Sequence, residues 1–178
     1  AIRCSLWLAL CFGSMFCGAC SRKTGNHSYP ALERELTEVL ERKNEYSRQK
    51  EQYLSGKIRQ LTSDTQLSRE EQFRLCNEIC SGYQLYIFDS TYKYAVKLCR
   101  LADRIGSAPY QVYARTVYGY SLARGGFFKE SVDSLTAISV VPEQLPDSVT
   151  ANYYICLGRT YHDLADYTKD DVFSERYN

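Results

Sequence analysis

The sequence predicts an all-α fold of antiparallel helix pairs preceded by a long N-terminal helix. Three observations predict it. Apolar residues recur at spacings of three and four along most of the 178 residues, and no stretch alternates with the period of two that a half-buried strand requires. Gly106, Gly125-Gly126, Pro142 and Pro146 punctuate the chain at intervals suited to short helices. A set of small and aromatic residues also returns at a nearly fixed interval, which marks a repeat architecture.

The chain opens with a segment of a different kind. Residues 5–20 carry no charge, Arg3 precedes them, and small residues close the run. That is the order of a secretory signal peptide. The run is shorter than the ~20 residues that span a bilayer. Gly18, Ala19 and Cys20 resemble a bacterial lipobox, in which the cysteine is lipidated and becomes the new N-terminus. Cys17 departs from that pattern, because an aliphatic residue is usual three positions before the lipidated cysteine. Lipidation of Cys20 and ordinary cleavage near Ala19 both remain open. Either predicts an exported protein, periplasmic or held at a membrane through its N-terminus. Residues 21–29 are polar and read as a tether.

A helix is expected from Pro30 to about Leu61, within a charged segment spanning 30–62, with Pro in its first turn. Leu32, Leu36, Val39, Tyr46, Tyr53 and Leu61 keep rough heptad spacing, but Lys43 and Lys50 fall on the same seam. Ser68-Arg69-Glu70-Glu71 is a capping box. The helix it starts should turn Phe73, Leu75, Ile79, Tyr83 and Tyr86 inward. Asp89 is placed to cap the next helix, which carries Ala95, Leu98, Cys99 and Ala102 and stops at Gly106. A third helix should run from about Pro109 to Arg124, and a fourth from Phe127 to about Ile138. After a proline-bounded loop, a fifth starts at Asp147 or Ser148 and reaches about Leu164. A sixth is expected to begin near Asp166.

Within residues 68–178 the repeat becomes visible. Gly119, Gly126, Phe128 and Ser131 resemble the tetratricopeptide (TPR) motif: a small residue inside the first helix, a turn glycine, then an aromatic and a small residue in the second. Gly158 and Tyr167 repeat the roles of Gly119 and Phe128. An earlier copy has Tyr83 at the helix-glycine position and Tyr92, Ala95 and Ala102 in its second helix. The resemblance implies a TPR-like solenoid whose last repeat ends inside its second helix, so that the natural protein is expected to continue beyond Asn178.

Chemistry is sparse. Lys and Arg total 22 against 21 Asp and Glu, a net charge of +1. Such a balance gives no basic surface for a phosphate backbone, and no nucleic acid partner is expected of this segment. Cys76 and Cys80 lie four apart on one helical face, but no second pair and no nearby His complete a metal site. They read as small apolar residues. His27 and His162 are isolated, no nucleophile or phosphate-loop motif occurs, and neither a cofactor nor a catalytic residue is assigned.

The TPR resemblance implies a concave groove lined by first helices. Tyr113, Thr116 and Tyr120 would face it in one repeat, and Asn152, Ile155, Arg159 and His162 in the next. Such a surface suits an extended peptide or a protein partner. Occupation of the groove by the 30–61 helix, or by chain beyond Asn178, is the competing expectation. The whole layout also resembles a bacterial family of exported TPR proteins of unknown function. In that family a transmembrane helix, a coiled coil and a DNA-binding region follow the repeats. The resemblance implies an interaction or sensory module outside the inner membrane, serving a transcriptional regulator. A lipid-anchored scaffold or glycan-uptake accessory protein is the alternative.

Overall fold

A computed structural model describes residues 29–168, which divide into two units meeting between Asn44 and Glu45. Every regular element among the described residues is helical. Cys20, the tether up to Ser28 and residues 169–178 lie outside them.

The first unit holds α1 (Tyr29–Glu41), which has no buried residue. Leu32, Leu36, Val39 and Leu40 are each about half exposed. Instead of one helix from Pro30 to Leu61, the chain breaks at Arg42, and α2 (Lys43–Ser63) starts one residue later. The break falls in the charged run Glu41-Arg42-Lys43, where no buried side chain supplies the packing that stabilises most protein helices.

In the second unit, α2 turns Leu54 and Leu61 inward. It lies against α3 (Arg69–Tyr83), where Leu54 fills the space above Gly82: a Cβ there would come within 2.5 Å of Leu54 Cδ2. Polar contacts fix this docking. Tyr83 and Tyr86 donate their hydroxyls to the two Glu51 oxygens at 3.2 and 2.9 Å, and Lys57 donates to Glu78 at 2.5 Å. The result covers the outer face of α3, as a terminal capping element must in a repeat stack.

The capping box forms as expected. Ser68 Oγ accepts the Glu71 N–H, and Glu71 accepts from the Ser68 backbone N–H at 2.9 Å. Phe73, Leu75, Ile79 and Tyr83 are buried, whereas Tyr86 lies past the helix end and is exposed. Helix α4 (Phe88–Ile105) takes Ile87, not Asp89, as its N-cap. Asp89 sits instead in the first turn, where its charge faces the positive helix end. Gly106 ends α4 at φ +74°, the left-handed conformation glycine adopts without strain.

Helices α5 (Ala108–Arg124) and α6 (Phe128–Thr136) form the best-defined pair. Gly126 makes the turn at φ +84°. A Cβ on Gly119 would stand 2.7 Å from Leu135 Cγ, and Ser131 Oγ donates to the Gly119 carbonyl at 2.7 Å. The small-residue positions read from the sequence thus hold the closest approach of the two helices.

A 3-10 turn at Pro142–Gln144 leads to α7 (Asp147–Thr168). Here the structure corrects the sequence reading, because α7 runs through Ala165 without a turn. Ala165 occupies the place of Gly126, and as a strong helix former it lets the helix continue. Tyr167 therefore belongs to the end of α7, with its ring 5.2 Å from that of Phe128. In the stack α3 packs on α4, α4 on α5, α5 on α6 and α7, and α6 on α7. A second core of Val112, Leu135, Ile138 and Tyr153 joins the last three helices. There the Tyr153 hydroxyl donates to the Leu135 carbonyl at 3.2 Å.

Candidate functional site

First helices of successive pairs, α3, α5 and α7, begin side by side. Their N-terminal turns enclose an open cavity of about 580 Å³. Phe73, Asn77 and Arg74 of α3 form one wall, Pro109, Tyr110 and Tyr113 of α5 the other, and Val149 of α7 one edge. Glu70 and Glu71 stand at the rim.

The walls are ordered by aromatic packing. Tyr110 meets Phe73 edge to face, with centroids 4.8 Å apart at 88°, and Tyr113 lies 6.1 Å from the same ring. The Tyr113 hydroxyl stands 3.1 Å from Asn77 Nδ2 and 3.3 Å from Asn77 Oδ1. It can therefore accept from the amide or donate to it. That pair is half-buried and offers a ligand one donor and one acceptor at a fixed place. Glu71 is committed elsewhere. The Ser68 backbone N–H, then its hydroxyl, holds the Glu71 carboxyl below the usual carboxylate range. Arg74 adds a smaller lowering influence on Glu71 through its charge, and Arg74 and Glu70 both line the cavity. The cavity combines flat apolar walls, one amide–phenol pair and a charged rim.

The residues expected to face the groove separate into three groups. Tyr113 lines the cavity. Thr116 does not: it is fully buried, and its hydroxyl donates to the Val112 carbonyl at 2.8 Å. Helix α5 is packed on α4, α6 and α7, and it lines the cavity through Pro109, Tyr110 and Tyr113 near its start. Tyr120 is half-buried further along α5. On α7, Ile155, Arg159 and His162 are exposed, and His162 pairs with Asp166 at 3.7 Å. Asn152 is half-buried, and its Oδ1 accepts a weak contact from the Cys156 thiol at 3.9 Å. None of these four lines the cavity.

Asn77 and Phe73 were missed in the sequence. The interval of 36 that relates Tyr83 to Gly119 also carries Tyr113 back to Asn77. Applying it would have found the amide. The expectation that the 30–61 helix fills the groove is not met by the part of α2 in this unit: no residue of Glu45–Ser63 lines the cavity.

Thiol chemistry is disfavoured among the described residues. Burial pushes the Cys76 and Cys80 thiols up to about 12, and those of Cys99 and Cys156 up to about 11. All four are free. Cys76 donates to the Tyr94 carbonyl at 3.4 Å and Cys80 to the Thr91 carbonyl at 3.5 Å. These two side chains are interior spacers between α3 and α4.

The all-helical stack of helix pairs agrees with the family comparison. One family profile, described as the SusR N-terminal TPR domain, matches residues 40–178. No curated protein and no solved structure matches the chain. The match covers most of the chain, including every element from α3 to α7, and TPR domains generally serve protein–protein interaction. The chain belongs to the SusR N-terminal TPR domain family.

Proposed function

We propose that this domain is the non-catalytic recognition half of a membrane-spanning transcriptional regulator, placed outside the inner membrane. The observation that carries the reading is the cavity at the start of α3, α5 and α7. A cleft of about 580 Å³ walled by Phe73, Tyr110 and Tyr113 is of the size and character of a ligand site. An extended peptide segment of a protein partner fits it: an apolar side chain enters between the rings, while its backbone meets the Asn77–Tyr113 pair and the rim charges. The uncharged run at residues 5–20 supports export. The family description, which places the TPR domain at the N-terminus of SusR, supports a recognition part attached to an effector part.

A second reading rests on Gly18-Ala19-Cys20. A lipidated Cys20 would make the same domain an anchored scaffold or a glycan-uptake accessory protein. The two are separated by transcription. Transcript profiles are compared between cells carrying the natural gene and cells carrying Asn77→Ala with Tyr113→Ala, at matched protein abundance. The regulator reading expects a defined set of genes to lose its response, and Lys129→Ala on α6 to behave as wild type. Unchanged transcription with the double variant abandons that reading. Protease cleavage of the domain in intact spheroplasts tests its placement; protection there contradicts export.

A further inference from the structure

Two stretches of α3 are held by different partners. Phe73, Arg74 and Asn77 wall the cavity together with α5. Glu78, Gly82 and Tyr83, further along, hold α2. The two contacts differ in kind. Of the 15 residues of α3 six are buried, and of the 17 of α5 seven. Helix α2 has 21 residues and buries two, Leu54 and Leu61, with Ile58 partly buried beside them.

Much of the α2 docking is polar. Glu51 accepts the Tyr83 and Tyr86 hydroxyls, Lys57 donates to Glu78, and the Lys50 ammonium stands 4.5 Å from the centre of the Tyr86 ring. The Lys57 and Glu78 side chains are 25% and 38% exposed, so solvent and salt screen the pair. When these contacts open, their groups exchange one another for water, and the net loss is modest. Gly56 weakens the helix further. No described residue comes within 4 Å of where its Cβ would be, so packing does not require a glycine there. Relative to alanine it disfavours the helix about fivefold. A segment with so few buried apolar contacts opens at a lower free energy than the packed core beside it.

We propose that residues 45–63 of α2 form a releasable latch: they undock from α3 and unwind as one unit while α3, α4 and α5 stay folded, which turns a docked helix into a flexible link between the stack and the chain before it. Unwinding accompanies undocking because most of a protein helix's stability comes from tertiary packing. The cavity survives the opening. Its Phe73–Tyr110 and Phe73–Tyr113 ring contacts and its Asn77–Tyr113 pair involve no residue of α2. The latch and the cavity are therefore independent features of α3.

Native-state hydrogen exchange of the purified full chain tests it, read by mass spectrometry at rising urea below the unfolding transition. After correction for intrinsic rates, amides of residues 54–61 should exchange at least tenfold faster than those of residues 95–102 in α4, and with a weaker dependence on urea. Two variants separate a latch from one cooperative unit. Leu135→Ala empties a buried site in the second core, which contains no α2 residue. Exchange in α5 should then rise at least tenfold, while exchange at residues 54–61 is unchanged, because the stack is intact in the open latch too. Gly56→Ala should slow exchange at residues 54–61 about fivefold. Equal protection of α2 and α4, acceleration of α2 and α5 by the same factor in Leu135→Ala, or no slowing in Gly56→Ala overturns the proposal. If Leu135→Ala loses its helical circular dichroism, Ile138→Ala takes its place under the same criteria.

Discussion

The two helix pairs α3/α4 and α5/α6 solve one problem with different side chains. Each must bring two helices close enough to exclude water. In the second pair Gly119 leaves room for Leu135, and Ser131 anchors to the Gly119 carbonyl. In the first pair there is no glycine at the crossing. Cys76 and Cys80 stand there instead and donate to backbone carbonyls of α4. A small side chain with a weak donor can therefore replace the absence of a side chain, provided it stays protonated. Burial ensures that, by raising both thiols to about 12.

The sharpest way to break this comparison is to enlarge the glycine. Gly119→Val forces methyl groups into Leu135, which is fully buried, and should destabilise by about 3 kcal/mol through overpacking. Urea midpoints with unchanged slope would show it. Enlarging the cysteine should do less. Cys80→Leu is expected to cost about 2 kcal/mol, because α3 and α4 already stand far enough apart for a side chain of intermediate size.

Alkaline pH probes the thiols of the first pair. Below about pH 9 the thiols are protonated both folded and unfolded, and their contribution is intact. As pH rises toward 12 the unfolded thiols ionise first and stability is lost. The urea midpoint should fall between pH 9 and 10.5, by less in a Cys76→Ser, Cys80→Ser variant, whose hydroxyls do not titrate there. Cys99 and Cys156, and the tyrosines Tyr83, Tyr94 and Tyr153, also raised by burial, keep part of the fall in that variant. The smallest effect belongs to Gly158. It matches Gly119 in sequence, yet it is exposed and no described residue comes within 4 Å of where its Cβ would be. Gly158→Ala should therefore leave the midpoint unchanged or raise it by up to about 1 kcal/mol.

That last contrast shows what the sequence could carry. Positions that depend on local backbone chemistry were legible: the Ser68 capping box, the Gly106 terminus and the Gly126 turn; the tight Gly119 crossing was legible through the repeat. Positions that depend on what packs outside the helix were not. Thr116 reads as a groove residue by repeat position, but α5 is covered on three sides, so it is buried. Ala165 reads as a turn by alignment with Gly126, but without a residue suited to positive φ the helix continues. Asp89 has the chemistry of a cap, yet the chain enters α4 two residues too early for it to act as one. Asn77, half of the polar pair in the cavity, was hidden because its copy of the repeat is the most divergent.

Recognition is proposed to occur at the start of α3, α5 and α7. Site-specific incorporation of a benzophenone amino acid at Tyr113 in the native cell, followed by irradiation, tests it most directly. The same group at Lys129 on α6 serves as the comparison, since that side chain is 82% exposed and lines no part of the cavity. A discrete adduct from position 113, lost on Asn77→Ala and absent from position 129, is the predicted result. Equal adducts from both positions, or none from position 113, would contradict it.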